Sequence, residues 1–167
     1  MFVLGIDPGL SRCGYGLVEQ VGRRQSAVAA GVFRTDPGDP VPQRLLALRD
    51  DVRALLAERR PDVVAVERVL FQVNARTAIP VAQAAGVVMV EALAAGCEVV
   101  EYSPNQVKQA VSGMGGADKE QVQRMVMTLL GLSTPLRPVD AADAVALALC
   151  HLAHARLRVR ATEALAR

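Results

Sequence analysis

Cysteine is scarce in this sequence: its three copies, Cys13, Cys97 and Cys150, lie far apart and in no C-x-x-C spacing. That excludes a disulfide framework and a cysteine zinc site, and makes a reducing, cytoplasmic setting the expectation. Lysine is scarcer still. Only Lys108 and Lys119 occur, both in one short region, while arginine is spread widely with a late group at Arg156, Arg158 and Arg160. Long apolar runs are missing too. The longest apolar region, Ala78 to Val100, is broken by Pro80, Gln83, Gly86, Glu91 and Gly96. It falls short of the ~20 mostly apolar residues a membrane span requires, so no membrane partner is expected. Met1 to Ile6 runs straight into Asp7-Pro8-Gly9 with no basic leader or small-residue cleavage site, so no secretory signal is expected either.

What is present is the composition of a packed domain. Of 167 residues, 51% are hydrophobic and 22% charged, well away from disordered chains. A chain this long buries roughly two-thirds of its unfolded surface, enough to need no staple. The net charge of +2 is too small to identify a nucleic-acid partner without clustering.

Along the chain, Phe2 to Ile6 is a short apolar run that reads as a buried strand, ended by Asp7-Pro8-Gly9. Gly14 to Val21 and Ser26 to Phe33 read as two strands of a hairpin across Gly22 to Gln25. After the loop Asp36 to Pro40, Leu45, Leu48, Val52 and Leu55 recur at helical spacing up to the stop at Pro61. A buried strand, Asp62 to Val66, follows and carries Glu67 at its far end. The pattern then predicts a helix over Asn74 to Ala95, a strand over Cys97 to Tyr102, and a short helix over Pro104 to Val111 capped by Ser103. Beyond the loop Ser112 to Gly116, Asp118 with Gln121 forms a capping box for a helix over Lys119 to Leu130, with Gly131 closing it. A last helix runs from Asp140 to Leu157. One domain over residues 1–160 with a frayed tail at 161–167 accounts for the chain.

Four carboxylates stand where apolar sequence would otherwise continue: Asp7 and Glu67 after strands, and Asp140 with Asp143 at the start of the last helix. If the first and fourth strands are parallel neighbours, Asp7 and Glu67 emerge together at the carboxyl edge of the sheet, where open α/β folds place their sites. Asp140 and Asp143 share one helical face. Like charges so close raise one another's pKa unless a cation neutralises them, and an oxygen-only set favours Mg²⁺ or Mn²⁺ over zinc. Two such ions ~4 Å apart suit phosphodiester cleavage. Each acid also has a plainer reading. Asp7 suits a turn, Glu67 a solvated strand end, Asp140 a helix N-cap, and Asp143 the helix dipole. Acids from three separated segments on elements that one topology brings together favour the joint reading.

Gly5-Ile6-Asp7-Pro8-Gly9, then Gly14-Tyr15-Gly16, Val66-Glu67, Gln106-Val107-Lys108-Gln109 and Asp140-Ala141-Ala142-Asp143-Ala144 form an ordered set that resembles the RuvC family of junction resolvases over nearly the whole chain. The resemblance implies an α/β RNase H-like fold, with a five-stranded mixed sheet of three antiparallel N-terminal strands plus two parallel ones, flanked by helices. It implies a homodimer that nicks a four-way DNA junction symmetrically, leaving 5′-phosphate and 3′-hydroxyl ends, with Asp7, Glu67, Asp140 and Asp143 as catalytic metal ligands. A RuvA-RuvB branch-migration complex is the implied partner, and the helix from Asn74 to Ala95 the implied dimer interface. The competing readings are another RNase H-like nuclease, a non-catalytic junction-binding module, and an actin-like ATPase, which normally needs two related domains.

Lys108 and Lys119 match basic positions of the family, where an ammonium holds the scissile phosphate; the plainer reading is a pair of solvated lysines. Where the family commonly carries an aromatic wedge three positions after its catalytic Glu, this chain has Leu70, with Phe71 next. Either serves as the wedge, or Phe71 packs in the core. Arg76 is the remaining candidate DNA contact. His151 and His154, three apart on the last helix with no third ligand nearby, are expected at the surface or an interface.

Overall fold

Val3 and Gly5 alternate with Leu4 and Ile6 along β1 (Phe2–Asp7), and the two sets are buried in different cores. The computed structural model describes residues 1–69 and 75–165, and the side chains at 75–77 and 156–165 lie outside that description. β1 sits at the centre of one five-stranded sheet, in the order β3-β2-β1-β4-β5. β2 (Arg12–Val21) and β3 (Arg24–Arg34) complete an antiparallel meander, and the turn between them is only Gly22-Arg23. Gly22 takes a left-handed φ of 59° that suits glycine. β4 (Val63–Glu67) and β5 (Glu98–Tyr102) run parallel to β1, so the mixed RNase H-like architecture is as expected.

Parallel neighbours need crossovers, supplied by α1 (Val41–Arg59) between β3 and β4 and by α2 (Ala75–Ala94) between β4 and β5. These two helices cover one face, over Leu4, Ile6, Leu17, Val64 and Val66. α1 buries Leu48, Val52 and Leu56, so its inner stripe ends on Leu56 rather than Leu55. The other face carries α3 (Pro104–Ser112), α4 (Lys119–Leu130) and α5 (Val139–Leu165). Capping boxes at Ser103–Gln106 and Asp118–Gln121 start α3 and α4 as the sequence predicts. The last helix differs at both ends. It begins at Val139, so Asp140 lies inside its first turn instead of capping it, and it runs past Leu157 to Leu165.

α5 lies directly on the sheet because glycine faces it. A Cβ on Gly5 would stand 1.9 Å from the Ala144 carbonyl oxygen, and one on Gly14 2.2 Å from that of Asp140. Real Cβ atoms never come so close, so these glycines set how near the helix backbone approaches. The contact buries Val145, Leu147, Leu149 and Leu152, each worth about 1.5–3 kcal/mol relative to exposure.

His151 is not at the surface. It is 1% exposed, and its Nδ1 is hydrogen-bonded to the Tyr102 hydroxyl at 3.0 Å, while the ring of half-buried His154 stacks on Tyr102. The pair was expected at the surface or an interface, but α5 packs on the sheet and places the His151 imidazole in the core against Tyr102. The three cysteines are free and buried, and burial pushes the thiols of Cys13 and Cys150 up to about 12.

Candidate active site

Ile6 pairs with Val66, so Asp7 and Glu67 leave the ends of neighbouring parallel strands side by side. Strand alternation turns both toward α5: Val3 and Gly5 precede Asp7 on that face, and Val63 and Ala65 precede Glu67. The start of α5 crosses there, with Asp143 just beyond its first turn. Asp7, Glu67 and Asp143 line one cavity of about 320 Å³ together with Lys108 from α3 and Lys119 from the start of α4.

The electrostatics are those of crowded acids. Asp7 is pushed from 3.8 up to about 8, chiefly by burial and then by the charges of Glu67, Asp143 and Asp140. Glu67 is also raised by burial, opposed by its hydrogen bond with Asp7 and by the charges of Lys119 and Lys108. The two carboxyls therefore share a proton, held on Asp7. Lys119 Nζ donates to Asp143 Oδ2 at 3.1 Å, and this bond with the surrounding acids raises the ammonium's pKa.

Asp140 is turned differently. Arg12, near the start of β2, donates from Nε to Asp140 Oδ2 at 3.1 Å and from its terminal nitrogen to the same oxygen. That contact holds the Asp140 carboxyl below the usual range, and the side chain does not line the cavity shared by the other three acids. Arg12 is the site residue that sequence reading missed. Its only signal is parity: Arg12 lies two residues before Gly14, on the same strand face, but the sequence reading began that strand at Gly14.

The donor set fits a hard divalent cation in chemistry. The acids at the site offer only oxygen ligands, and Asp7 is raised first by burial and then by the charges of Glu67, Asp143 and Asp140. As the side chains stand, no three His, Cys, Asp or Glu groups among the described residues converge closely enough to hold one ion. Arg12 and Lys119 occupy the flanks of Asp140 and Asp143 instead. Leu70 and Phe71 lie outside the described residues, and Arg76 falls in α2 with its side chain outside the description.

Comparison with known proteins bears on the same residues. The family described as crossover junction endodeoxyribonuclease RuvC matches residues 3–151. A crossover junction endodeoxyribonuclease RuvC from Salinispora arenicola is 56% identical over 153 residues, covering 91% of this chain and 87% of that protein. The solved structure of T. thermophilus RuvC in complex with Holliday junction substrate superposes with a TM-score of 0.88 at 40% identity, covering 94% of this chain and 96% of that one. The yeast mitochondrial Holliday junction resolvase Ydc2 shares the fold, with a TM-score of 0.68 at 15% identity over 90% of this chain and 77% of that one.

Proposed function

Because this chain belongs to the RuvC family of crossover junction endodeoxyribonucleases, it is a metal-dependent nuclease that resolves Holliday junctions, and we propose that Asp7, Glu67, Asp140 and Asp143 carry its chemistry. Paired nicks leave ligatable 5′-phosphate and 3′-hydroxyl ends, in recombination and repair. The observation that carries the residue assignment is the Asp7 carboxyl. It is pushed up to about 8, chiefly by its burial and then by the charges of Glu67, Asp143 and Asp140 around it.

The acids would hold Mg²⁺ or Mn²⁺, two ions per site. When bound, such ions supply the Lewis acid that activates water and stabilises the leaving oxygen. The chain's own groups do the rest. Asp7, once deprotonated, and Glu67 would hold the ions together with Asp143, here paired with Lys119, and Asp140, here paired with Arg12. Lys119 and Lys108, which line the same cavity, would hold the scissile phosphate and offset its developing charge. Apolar walls from Val107, Val122 and Leu147 limit water around these charges and so strengthen them.

A homodimer follows from the same reading. Ile79, Val90 and Leu93 on α2 are more than half exposed, which supports that helix as the interface. Leu70 or Phe71 serves as the junction wedge and Arg76 as a further DNA contact, with the RuvA-RuvB complex as partner and a cytoplasmic location. Among the described residues, no helix is long and apolar enough to cross a membrane.

The test offers the purified chain a mobile four-way junction, a linear duplex and an RNA-DNA hybrid, each with Mg²⁺, Mn²⁺ or EDTA. Symmetric nicks in the junction alone, absent in EDTA, are expected. Equal cutting of the hybrid would move the chain to another branch of the fold.

A further inference from the structure

Asp140 is set apart from the other acids by one contact. Its backbone is already packed on the sheet, with the Asp140 carbonyl oxygen 2.2 Å from where a Cβ on Gly14 would stand. Its side chain alone decides whether the carboxylate joins Asp7, Glu67 and Asp143, and that side chain is held by two nitrogens of Arg12. Arg12 in turn is anchored by β2, whose register with β1 places Gly14 opposite Asp7. The guanidinium thus reaches Asp140 from a strand of the sheet, whereas Lys108 and Lys119 come from helices α3 and α4.

We propose that Arg12 is the resident counter-ion of the site: it holds Asp140 out of the cavity while no divalent cation is bound, and its displacement from Asp140 sets the affinity for the cation. Asp140 Oδ2 accepts both hydrogen bonds from Arg12, so the oxygen nearest the guanidinium serves either Arg12 or an ion. Competition of this kind weakens the apparent affinity by the factor that the ion pair contributes. For a pair this exposed, with side chains 42% and 29% accessible, that factor is about fivefold. The pairing also places a compensating positive charge beside Asp140 at the edge of the acid cluster, which steadies the metal-free site.

This inference rests on Asp140 being a metal ligand, so the experiment separates the two. Mn²⁺ binding to the full-length protein is measured by calorimetry for the wild type, Arg12→Gln, Arg12→Lys and Asp140→Asn. Arg12→Gln is expected to bind Mn²⁺ about fivefold more tightly. Arg12→Lys, which keeps the charge but loses the two-nitrogen hold, should fall between it and the wild type. In parallel, the Arg12 Nε–H resonance of the wild type, identified by its absence from Arg12→Lys, is followed during Mg²⁺ titration. It should be protected in EDTA and become solvent-exchanging as Mg²⁺ saturates. Unchanged or weaker Mn²⁺ binding in Arg12→Gln, or an Nε–H unmoved at saturation, overturns the proposal even if Asp140→Asn weakens binding as the assignment requires. Undiminished affinity in Asp140→Asn removes Asp140 from the ligand set and overturns both.

Discussion

Asp7 and Glu67 end adjacent parallel strands and share a hydrogen bond between their carboxyls, with Asp7 pushed up to about 8. In metal-free protein the folded state holds a proton on Asp7 that the unfolded chain releases near its ordinary value of 3.8. Between those values the native state binds more protons, so stability falls as pH rises through neutrality, by something on the order of a few kcal/mol. Asp140, depressed by Arg12, acts with the opposite sign, and only as pH falls through the carboxylate range. Melting in EDTA should therefore be higher at pH 5.5 than at pH 8.5. Asp7→Asn, which carries no titratable proton, should flatten the slope; an unchanged slope assigns it to other groups.

Asp7→Asn should also separate binding from cutting. The amide keeps the side chain's size and leaves Lys108, Lys119 and Arg12 in place, so junction affinity in Ca²⁺ should stay within about threefold of wild type. Single-turnover cleavage in Mg²⁺ should drop by at least about a hundredfold, since the ligand charge is gone. Full nicking activity would falsify the role given to Asp7.

Lys119→Ala removes the ammonium that donates to Asp143 at 3.1 Å and faces Asp7 and Glu67. Cleavage should slow by about tenfold to a hundredfold with little change in junction affinity, because one phosphate contact among several is lost while charge stabilisation at the reacting phosphate goes. Lys119→Arg should recover part of the rate. Equal losses in rate and affinity would assign Lys119 to binding alone.

Gly14→Ala drives a methyl toward the Asp140 carbonyl, where the Cβ position lies only 2.2 Å away. The start of α5 must move off the sheet, at a cost of about 1–3 kcal/mol, and Asp143 moves with it. Denaturant unfolding should show the destabilisation. Mn²⁺ affinity should fall in the surviving native protein, an effect a purely peripheral strain would not produce.

Phe71→Ala addresses the wedge. Loss of an aromatic platform for a base typically costs about 1–3 kcal/mol of binding or activation energy. Junction cleavage should fall by roughly fivefold to a hundredfold while the melting temperature moves little. Parallel losses of both would return Phe71 to the core.

Much of the site was legible because its residues interrupt strong local patterns. Asp7 and Glu67 each end an apolar strand, and Ser103–Gln106 and Asp118–Gln121 announce the helices that bring Lys108 and Lys119. Local rules govern such features, and five of them in order sufficed to point to the family. Two features were not legible: His151 was expected at the surface or an interface and Arg12 was not singled out, because both depend on where α5 settles against the sheet, with Tyr102 49 residues from His151 and Arg12 128 residues from Asp140.

The amino-acid sequence by itself determined the order of strands and helices, the parity that sends Asp7 and Glu67 to one side, and the presence of an oxygen-only acid set. Those follow from backbone periodicity and side-chain chemistry, which act over a few residues. Only the tertiary structure decided which carboxylates meet. The glycine-floored contact of α5 with the sheet brings Asp143 to Asp7, and the β2 strand delivers Arg12 to Asp140. Distances between charges from separate elements depend on packing across the whole domain, and no local pattern encodes them.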